Sequence, residues 1–152
     1  QLVLMSDNSS DIAEAQRELV RIGIDRPSGS FVGDVASFGE PKTTKTVSFK
    51  DIPAVIGTSQ VHILDVRRNS EREASHIEPS IHIPLHELAG RINELPTEGE
   101  IWVHCAGAYR AAAALGIIED SKRTAVLINE SYEAGLAVAG LNIVAGQPAA
   151  TA

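Results

Sequence analysis

The chain has little cysteine and few aromatic residues. Its 152 residues include a single cysteine, Cys105, a single tryptophan, and aromatic residues amount to 4% of the total. One cysteine excludes an internal disulfide and is compatible with a reducing compartment, so we expect a cytoplasmic protein. With so few aromatic rings, the core has to be aliphatic, built from Ile, Leu, Val and Ala.

Basic residues and long apolar runs are also scarce. Lys and Arg number 13 against 20 Asp and Glu, which leaves a net charge of −7. No basic stripe is available to neutralise phosphates, so we expect no nucleic-acid partner. No uncharged run approaches the roughly 20 residues that a membrane helix needs, and we expect no membrane partner. Metal-ligand motifs of Cys and His are missing as well, which predicts no metal site.

Cys105 stands at a junction suited to a reactive thiol. It follows the apolar run Ile101–His104, which predicts a buried strand, and precedes the alanine-rich stretch Ala111–Ile118, which predicts a helix. A strand, a tight loop and a helix start bring backbone N–H groups and the positive end of a helix dipole around the sulfur. Such surroundings favour the nucleophilic thiolate. A buried structural cysteine is the alternative that this residue by itself leaves open.

The loop after the cysteine is short and ends in an arginine. The residues between Cys105 and Arg110 are Ala106, Gly107, Ala108 and Tyr109. Cysteine phosphatases have one residue more, which lets their loop surround a phosphate, whereas this smaller cradle suits a single sulfur atom on the cysteine. We therefore predict that Cys105 and Arg110 are catalytic and that the four residues between them bind substrate. Arg110 adds a permanent positive charge at the far lip of the loop.

A second motif upstream completes a resemblance to a known family. It comprises Ile63-Leu64-Asp65-Val66-Arg67, then Glu71, then the run from His76 to Leu85. Together with the cysteine loop it resembles the rhodanese family of sulfurtransferases, whose pattern is L-D-V-R, E, G-H-I-P-G-A and I-P. The resemblance covers about residues 45 to 144. For Asp65, Arg67 and Glu71 we predict structural roles, with Arg67 paired to a carboxylate such as Glu71.

The chain departs from the family pattern at several positions. Ser75, Pro79 and Ser80 stand where the family usually has Gly, Gly and Ala, and Ala108 replaces a glycine of the loop. If that position needs a positive φ, alanine costs on the order of 1 kcal/mol. Further on, Glu130-Ser131 and Gly135 replace the family's Gly-Gly and Trp, which predicts a differently shaped loop beside the cysteine.

The second part of the chain alternates predicted strands with predicted helices. Each strand is a nearly continuous apolar run, which predicts an α/β fold with a parallel sheet covered by helices on both faces. The predicted strands are Thr46–Phe49, Val61–Leu64, Ile81–Ile83, Ile101–His104 and Thr124–Ile128. The predicted helices are Lys50–Ile56, Ser70–Ser75, Leu85–Leu95 and Tyr109–Glu119.

The first part of the chain is similar to half of the second. A predicted strand, Leu2–Met5, precedes an amphipathic helix with Ile12, Ala15, Leu19 and Ile22 at helical spacing and Gly23 as its stop. Aligning this strand with Ile101–His104 sets Ser6 opposite Cys105 and Asp11 opposite Arg110, so both chemical groups are lost.

We interpret residues 1–39 as a partial, degenerate rhodanese-like half module, 40–45 as a linker, 46–144 as the rhodanese domain and 145–152 as a tail. The alternative is a simple N-terminal extension. The tandem resembles the tail of fusion proteins of a metallo-β-lactamase fold and a rhodanese. It implies as partner an N-terminal metallo-β-lactamase-fold domain. The apolar residues of 1–39 would be costly to expose, so we expect this segment to pack against the 45–144 domain or against a second copy of the chain.

The resemblance implies a sulfurtransferase. Its small substrates would be thiosulfate or a low-molecular-weight persulfide as donor, with a Cys105 persulfide as intermediate and a nucleophile as acceptor. This chemistry requires no cofactor. A non-catalytic rhodanese-like module that binds a partner or regulates a larger sulfur-metabolism protein remains the alternative, and a phosphatase of the same broad fold is a third.

Overall fold

The computed structural model describes residues 2–21, 23–38 and 43–145. The chain divides into two compact units, Gln1–Thr43 and Thr44–Ala152. Residues 40–42 of the predicted linker and 146–152 of the predicted tail lie outside the described residues, as does Ile22 of the predicted helix.

The first unit is a small parallel strand pair with one helix. It contains β1 (Val3–Ser6), α1 (Ser9–Arg21), β2 (Gly29–Val32) and a 3-10 helix at Val35–Phe38. β1 and β2 pair in parallel, from Val3 opposite Gly29 to Ser6 opposite Val32. Gly23 has φ +83° and its N–H donates to the Val20 carbonyl at 3.0 Å, so this glycine ends the helix as predicted. The sequence pattern does not predict β2, because its apolar run is only two residues long.

The second unit is built on a five-stranded parallel sheet. The strands of the whole unit, in this sheet and outside it, are β3 (Thr46–Val47), β4 (Val61–Asp65), β5 (Ser75–Ile77), β6 (Ile81–His82), β7 (Glu100–His104), β8 (Thr124–Ile128) and β9 (Ile143–Ala145). The main sheet has the order β3-β8-β7-β4-β6, and β5 pairs antiparallel with β9 apart from it. The predicted α/β fold with a parallel sheet flanked by helices is confirmed.

Helices cover both faces of this sheet. They are α2 (Asn69–Ala74), α3 (Leu85–Leu88), α4 (Tyr109–Asp120) and α5 (Tyr132–Leu136), with 3-10 helices at Phe49–Ala54 and Ile92–Glu94. Alternate residues of β7 enter two separate apolar clusters: Ile101 and Val103 pack with the α4 side, and Trp102 packs with Phe49 and Tyr132. None of the helices among the described residues is long and apolar enough to cross a bilayer.

Local sequence accounts for two of the differences between predicted and observed elements. The first strand stops at Val47 because Ser48 caps a 3-10 helix: its hydroxyl accepts from the Lys50 N–H at 3.2 Å, and its own N–H donates to Asp51 at 2.8 Å. The predicted helix Leu85–Leu95 is broken into α3 and the 3-10 helix at Ile92–Glu94, with Gly90 in the gap. Glycine in a helix interior lowers helix stability, which accounts for the break.

Candidate active site

Cys105 lies directly after β7, at the carboxyl edge of the parallel sheet. Its side chain is 1% exposed and its Sγ accepts a hydrogen bond from the Ala111 N–H at 3.4 Å. Ala111 belongs to the first turn of α4, so the sulfur faces the amino end of that helix. Neighbouring strands end at the same edge, where sites of open α/β sheets are usually found. The sulfur thus has a backbone donor placed to stabilise negative charge.

The loop turns into the helix at Ala108. This residue has φ +67° and ψ −29°, the left-handed region, and it is the N-cap of α4. Its carbonyl accepts the first helical hydrogen bond from Ala112 at 2.8 Å. Position 108 therefore does need a positive φ. Alanine has a backbone cost there on the order of 1 kcal/mol, which glycine would avoid.

Arg110 is held by a two-point ion pair. Its Nη1 and Nη2 donate to the two carboxylate oxygens of Glu71, each at 2.7 Å. The hydrogen bonds from Arg110 lower the pKa of Glu71 to about 2. Glu71 in turn raises the pKa of Arg110, and Cys105 is near enough to add to that rise. The structure thus brings Glu71, Arg110 and Cys105 together.

Arg67 pairs with a carboxylate, as predicted, but that carboxylate is Asp65 and not Glu71. Arg67 is 3% exposed and donates instead to Asp65, through Nε at 3.0 Å and Nη2 at 2.8 Å. It also donates to the Ser75 carbonyl at 2.8 Å and lies over the Tyr132 ring at 3.7 Å. Arg67 points into the protein beside its near neighbour Asp65, which leaves Glu71 of α2 free to meet the active loop.

Asp65 and Arg67 form a buried charge pair. Burial by itself raises the pKa of Asp65, but the Arg67 hydrogen bonds outweigh it, so the pKa lies below its ordinary value. Burial likewise opposes the charge of Arg67, and the bonds to Asp65 raise its pKa. Both groups therefore stay charged and fix the end of β4 beside β7.

His104 lies on the face of β7 opposite to Cys105, as strand alternation predicts. Its ring stacks on Tyr132 with centroids 5.7 Å apart and meets the Phe49 ring edge-on at 5.5 Å. Neither ring nitrogen has a hydrogen-bond partner among the described residues, and burial lowers the pKa of His104 to about 4. A neutral imidazole enclosed on the far face is not positioned to remove a proton from Cys105.

The segment after β8 holds the active loop from one side. The Tyr132 N–H donates to the Ala106 carbonyl at 2.9 Å, and Gly107 pairs with Ser131 in an isolated antiparallel bridge. Sequence reasoning identified this segment as altered but missed the role of Tyr132. No sequence motif around Tyr132 indicates that its backbone N–H binds the Ala106 carbonyl.

Glu130 and Gly135 tie the same segment to the start of the domain. Glu130 accepts hydrogen bonds from the Ser48 hydroxyl and the Phe49 N–H, both at 2.9 Å. A Cβ on Gly135 would lie 3.0 Å from the Phe49 ring, which is fully buried. A side chain at position 135 would therefore force the Phe49 ring to move.

A cleft opens beside the loop, over the ends of β4 and β6. It measures about 260 Å³ and is lined by Val66, Arg68, Pro84, Leu85, His86 and Arg110. Tyr109 is 90% exposed and so covers neither the cysteine nor the helix start. Across the described ranges, no group of three or more His, Cys, Asp or Glu side chains is arranged to hold a metal ion.

Comparison with known proteins identifies the second unit. A family model described as Rhodanese-like domain matches residues 48–137. A rhodanese-related protein from Thermoplasma volcanium is 25% identical, with a TM-score of 0.59 over 66% of this chain and 97% of that one. A rhodanese-like domain protein from Staphylococcus aureus is 22% identical, with a TM-score of 0.58 over 65% of this chain and 97% of that one.

Two curated relatives are larger proteins. An HTH-type transcriptional regulator of Mycobacterium tuberculosis is 35% identical over 91 residues, which cover 59% of this chain and 40% of the regulator. A putative sulfur carrier protein of Bacillus subtilis is 43% identical over 54 residues, 36% of this chain and 29% of the relative. The chain thus spans less than half the length of either. These matches do not support the narrower resemblance to metallo-β-lactamase fusion proteins.

Proposed function

The chain belongs to the rhodanese-like domain family, and from that membership we propose that it is a sulfurtransferase that carries sulfur on Cys105. The observation that carries the proposal is the position of the Cys105 sulfur at the end of β7, where it accepts the Ala111 N–H at 3.4 Å. A thiolate, and the persulfide anion made from it, are both stabilised by such a donor at a helix start.

The first step loads the cysteine. The Cys105 thiolate attacks the outer sulfur of thiosulfate or of a low-molecular-weight persulfide, and the S–S bond of the donor breaks. Sulfite, or the thiolate of the donor, leaves with the bonding electron pair. The outer sulfur remains on Cys105 as a persulfide, so atoms and electrons balance without an oxidant or a cofactor.

The second step passes the sulfur on. A nucleophile such as cyanide, sulfite or a thiol attacks the outer sulfur of the Cys105 persulfide, and Cys105 leaves as thiolate. The amides of the loop from Ala106 to Arg110 would hold the persulfide between the two steps. Arg110 would stabilise negative charge on the donor and the leaving group from its fixed place beside Glu71. A cytoplasmic setting suits this chemistry, because a reducing compartment keeps a lone cysteine as a thiol.

A non-catalytic regulatory module is the second candidate. Two observations favour it: Cys105 is 1% exposed, and Arg110 already spends two donors on Glu71. One relative is an HTH-type transcriptional regulator, which is larger than the matched region. In that case the domain would bind a sulfur species or a partner without catalysing sulfur transfer.

Mass spectrometry of the intact protein separates these candidates. The reduced chain is incubated with thiosulfate, desalted, and weighed before and after addition of cyanide. The transferase should gain the mass of one sulfur atom on Cys105 and lose it again to cyanide. Cys105→Ser is the control and should gain nothing while keeping its circular dichroism spectrum, because a hydroxyl cannot form the persulfide. A folded, reduced protein that gains no sulfur from thiosulfate or from a small persulfide would point to the regulatory module.

A further inference from the structure

Tyr132 holds both chain neighbours of Cys105. Its buried ring stacks on the ring of His104, with centroids 5.7 Å apart and ring planes 13° apart. Its backbone N–H donates to the carbonyl of Ala106 at 2.9 Å. One residue thus contacts the chain directly before and directly after the cysteine, so the Cys105 backbone is fixed on both sides.

The ring of Tyr132 is held in turn by a buried cation. The guanidinium carbon of Arg67 lies 3.7 Å from the ring centroid, a cation–π contact. Arg67 donates to Asp65 and to the Ser75 carbonyl, which fixes the plane of its guanidinium. The Tyr132 hydroxyl is buried and has no hydrogen-bond partner among the described residues. The aromatic face therefore holds the residue in place, and phenylalanine would keep that face.

The hydrogen bond to Ala106 also fixes the direction of the next N–H group. The Ala106 carbonyl and the Gly107 N–H share one planar trans peptide unit, so they point in opposite directions. Tyr132 packs in one apolar cluster and Cys105 in the other, on the opposite face of the sheet. With the carbonyl turned toward Tyr132, the Gly107 N–H points toward the Cys105 side.

The Gly107 N–H is an unused donor. Among the described residues it donates to no backbone or side-chain acceptor. A Cβ built on Gly107 would have no atom within 4 Å, so the space around this residue is open. The loop therefore presents a free N–H, held from behind by Tyr132, beside the residue that bears the sulfur.

We propose that Tyr132 is a positioning residue, which aims the Gly107 N–H at the outer sulfur of a Cys105 persulfide. The inference rests on the proposed function and adds to it a residue that acts through another. The outer sulfur carries the negative charge of the persulfide and exists only in the loaded protein. A hydrogen bond to it stabilises the persulfide and not the free thiolate. Tyr132 thereby shifts the equilibrium of loading toward the persulfide.

The test measures this loading equilibrium at fixed ratios of thiosulfate to sulfite. The Cys105 thiolate and thiosulfate form the persulfide anion and sulfite; one S–S bond forms as another breaks, so atoms and electrons balance. Intact mass spectrometry gives the loaded fraction and hence the equilibrium constant. Tyr132→Leu should lower this constant about tenfold, because a charge-assisted hydrogen bond to the outer sulfur is lost. Tyr132→Phe should match the unmodified chain, because the hydroxyl has no partner.

Trp102→Leu is the control for lost packing. Trp102 is buried in the same apolar cluster as Tyr132, and its indole N–H donates to Glu100 at the other end of β7. Both leucine variants should unfold more easily, and only Tyr132→Leu should change the loading constant. Tyr132→Pro removes the donor to Ala106 directly and should lower the constant as well. Proline fits there, because position 132 is the first residue of α5.

Equal loading constants for Tyr132→Leu and the unmodified chain would overturn the inference, as would equal losses in Tyr132→Leu and Trp102→Leu. NMR of the unmodified chain gives an answer that needs no variant to fold. The Gly107 amide proton should move downfield when Cys105 is loaded, because it then donates to the outer sulfur. A Gly107 amide that does not respond to loading refutes the aimed donor.

A second modification separates this inference from the proposed function. If Cys105 takes no sulfur from thiosulfate or from a small persulfide, the transfer mechanism fails. Methyl methanethiosulfonate still places a methylthio sulfur on the Cys105 thiolate, with methanesulfinate as the leaving group. The Gly107 amide should shift on this modification in the unmodified chain and not in Tyr132→Leu. A shift that is absent from the unmodified chain, or that persists in Tyr132→Leu, overturns the inference.

Discussion

The Arg110 guanidinium grips both oxygens of the Glu71 carboxylate, at 2.7 Å for each nitrogen–oxygen pair. This pair joins the two motifs that carry the family resemblance, since Glu71 lies on α2 after β4 and Arg110 ends the cysteine loop. Each side chain is about 30% exposed, 31% for Arg110 and 30% for Glu71. The loop is thus anchored at its far end by a planar, two-point contact that a lysine could not reproduce.

Glu71→Gln should loosen this anchor. We expect the free energy of unfolding near pH 7 to fall by about 1 kcal/mol, the upper end for pairs open to solvent. We also expect a lower kcat/KM for thiosulfate, because Arg110 loses its fixed orientation beside Cys105. Chemical denaturation and steady-state kinetics measure the two effects. Glu94→Gln, which breaks an exposed pair with Arg91, is the control and should leave kinetics unchanged.

The pH dependence gives the same pair a second readout. The pKa of Glu71 is lowered from 4.5 to about 2, so its contribution is present above pH 4.5 and is lost as pH falls toward 2. The stability difference between the unmodified chain and Glu71→Gln should therefore shrink over that range. A difference that stays constant down to pH 2 would show that the ion pair does not form in solution.

Ala108→Gly should stabilise the protein. Ala108 has φ +67°, where glycine avoids the clash that alanine suffers. We expect a gain of about 1 kcal/mol in unfolding free energy and faster sulfur uptake from thiosulfate as the loop relaxes. Ala113→Gly makes the same chemical change at an exposed position inside α4 and should instead cost about 1 kcal/mol. If Ala108→Gly lowered the unfolding free energy as much as Ala113→Gly does, alanine would be the better residue at position 108, as the start of the helix.

His104→Phe should reduce acid sensitivity. The pKa of His104 is lowered from 6.5 to about 4 by burial, so between these values the unfolded chain binds a proton that the folded chain does not. The folded state loses up to about 3 kcal/mol as pH falls through this window, at 1.36 kcal/mol per pKa unit. Phenylalanine keeps the rings packed and removes the titration.

Denaturation at several pH values between 7.5 and 4 measures the effect of His104. The stability of His104→Phe relative to the unmodified chain should rise steadily as pH falls from 6.5. Tyr132→Phe is the control, because it alters the same ring cluster without removing a group that titrates in this range. Parallel curves for His104→Phe and the unmodified chain would rule out an enclosed, neutral His104.

Deleting residues 1–39 should leave a folded, reactive domain. Among the described residues, the members of both buried apolar clusters of the second unit lie between Val47 and Ile143, and no proposed catalytic group lies before them. We expect cooperative unfolding and sulfur loading on Cys105 to persist. Solubility or oligomeric state should change, since residues 1–39 include exposed apolar side chains such as Val3, Met5 and Val32. An unfolded product would refute the half-module interpretation of residues 1–39.

Elements with long apolar runs could be predicted from the sequence. Strand β8 has the predicted bounds, and the predicted strand before Cys105 and the helix after the loop match β7 and α4 to within one residue. The periodicity of those segments is enough to define them. Elements such as α5, β5 and β9 could not be predicted, because they are three to five residues long and depend on contacts with distant parts of the chain. That residues 1–39 are a degenerate copy of half of the second unit stays a prediction.

The local geometry of the cysteine loop was predictable from the sequence, and its side-chain contacts were less so. Spacing alone indicated that Cys105 and Arg110 share a loop, and the departure at Ala108 marked the position that has a positive φ. The sequence did not show whether Glu71 pairs with Arg67 or with Arg110. The two arginines are distinguished only by the directions of their side chains in the folded chain. The catalytic roles of these residues remain to be tested by the experiments above.

Cys105 is the one cysteine of this sequence and is buried, and both facts affect how it would react with oxidants. These 152 residues contain no second thiol that could condense with a sulfenic acid on Cys105, so they provide no rescue by a disulfide among themselves. Persistent oxidation would proceed to sulfinic acid and remove the thiolate that the proposed sulfur transfer requires. Burial to 1% exposure then limits the access of oxidants to the Cys105 sulfur.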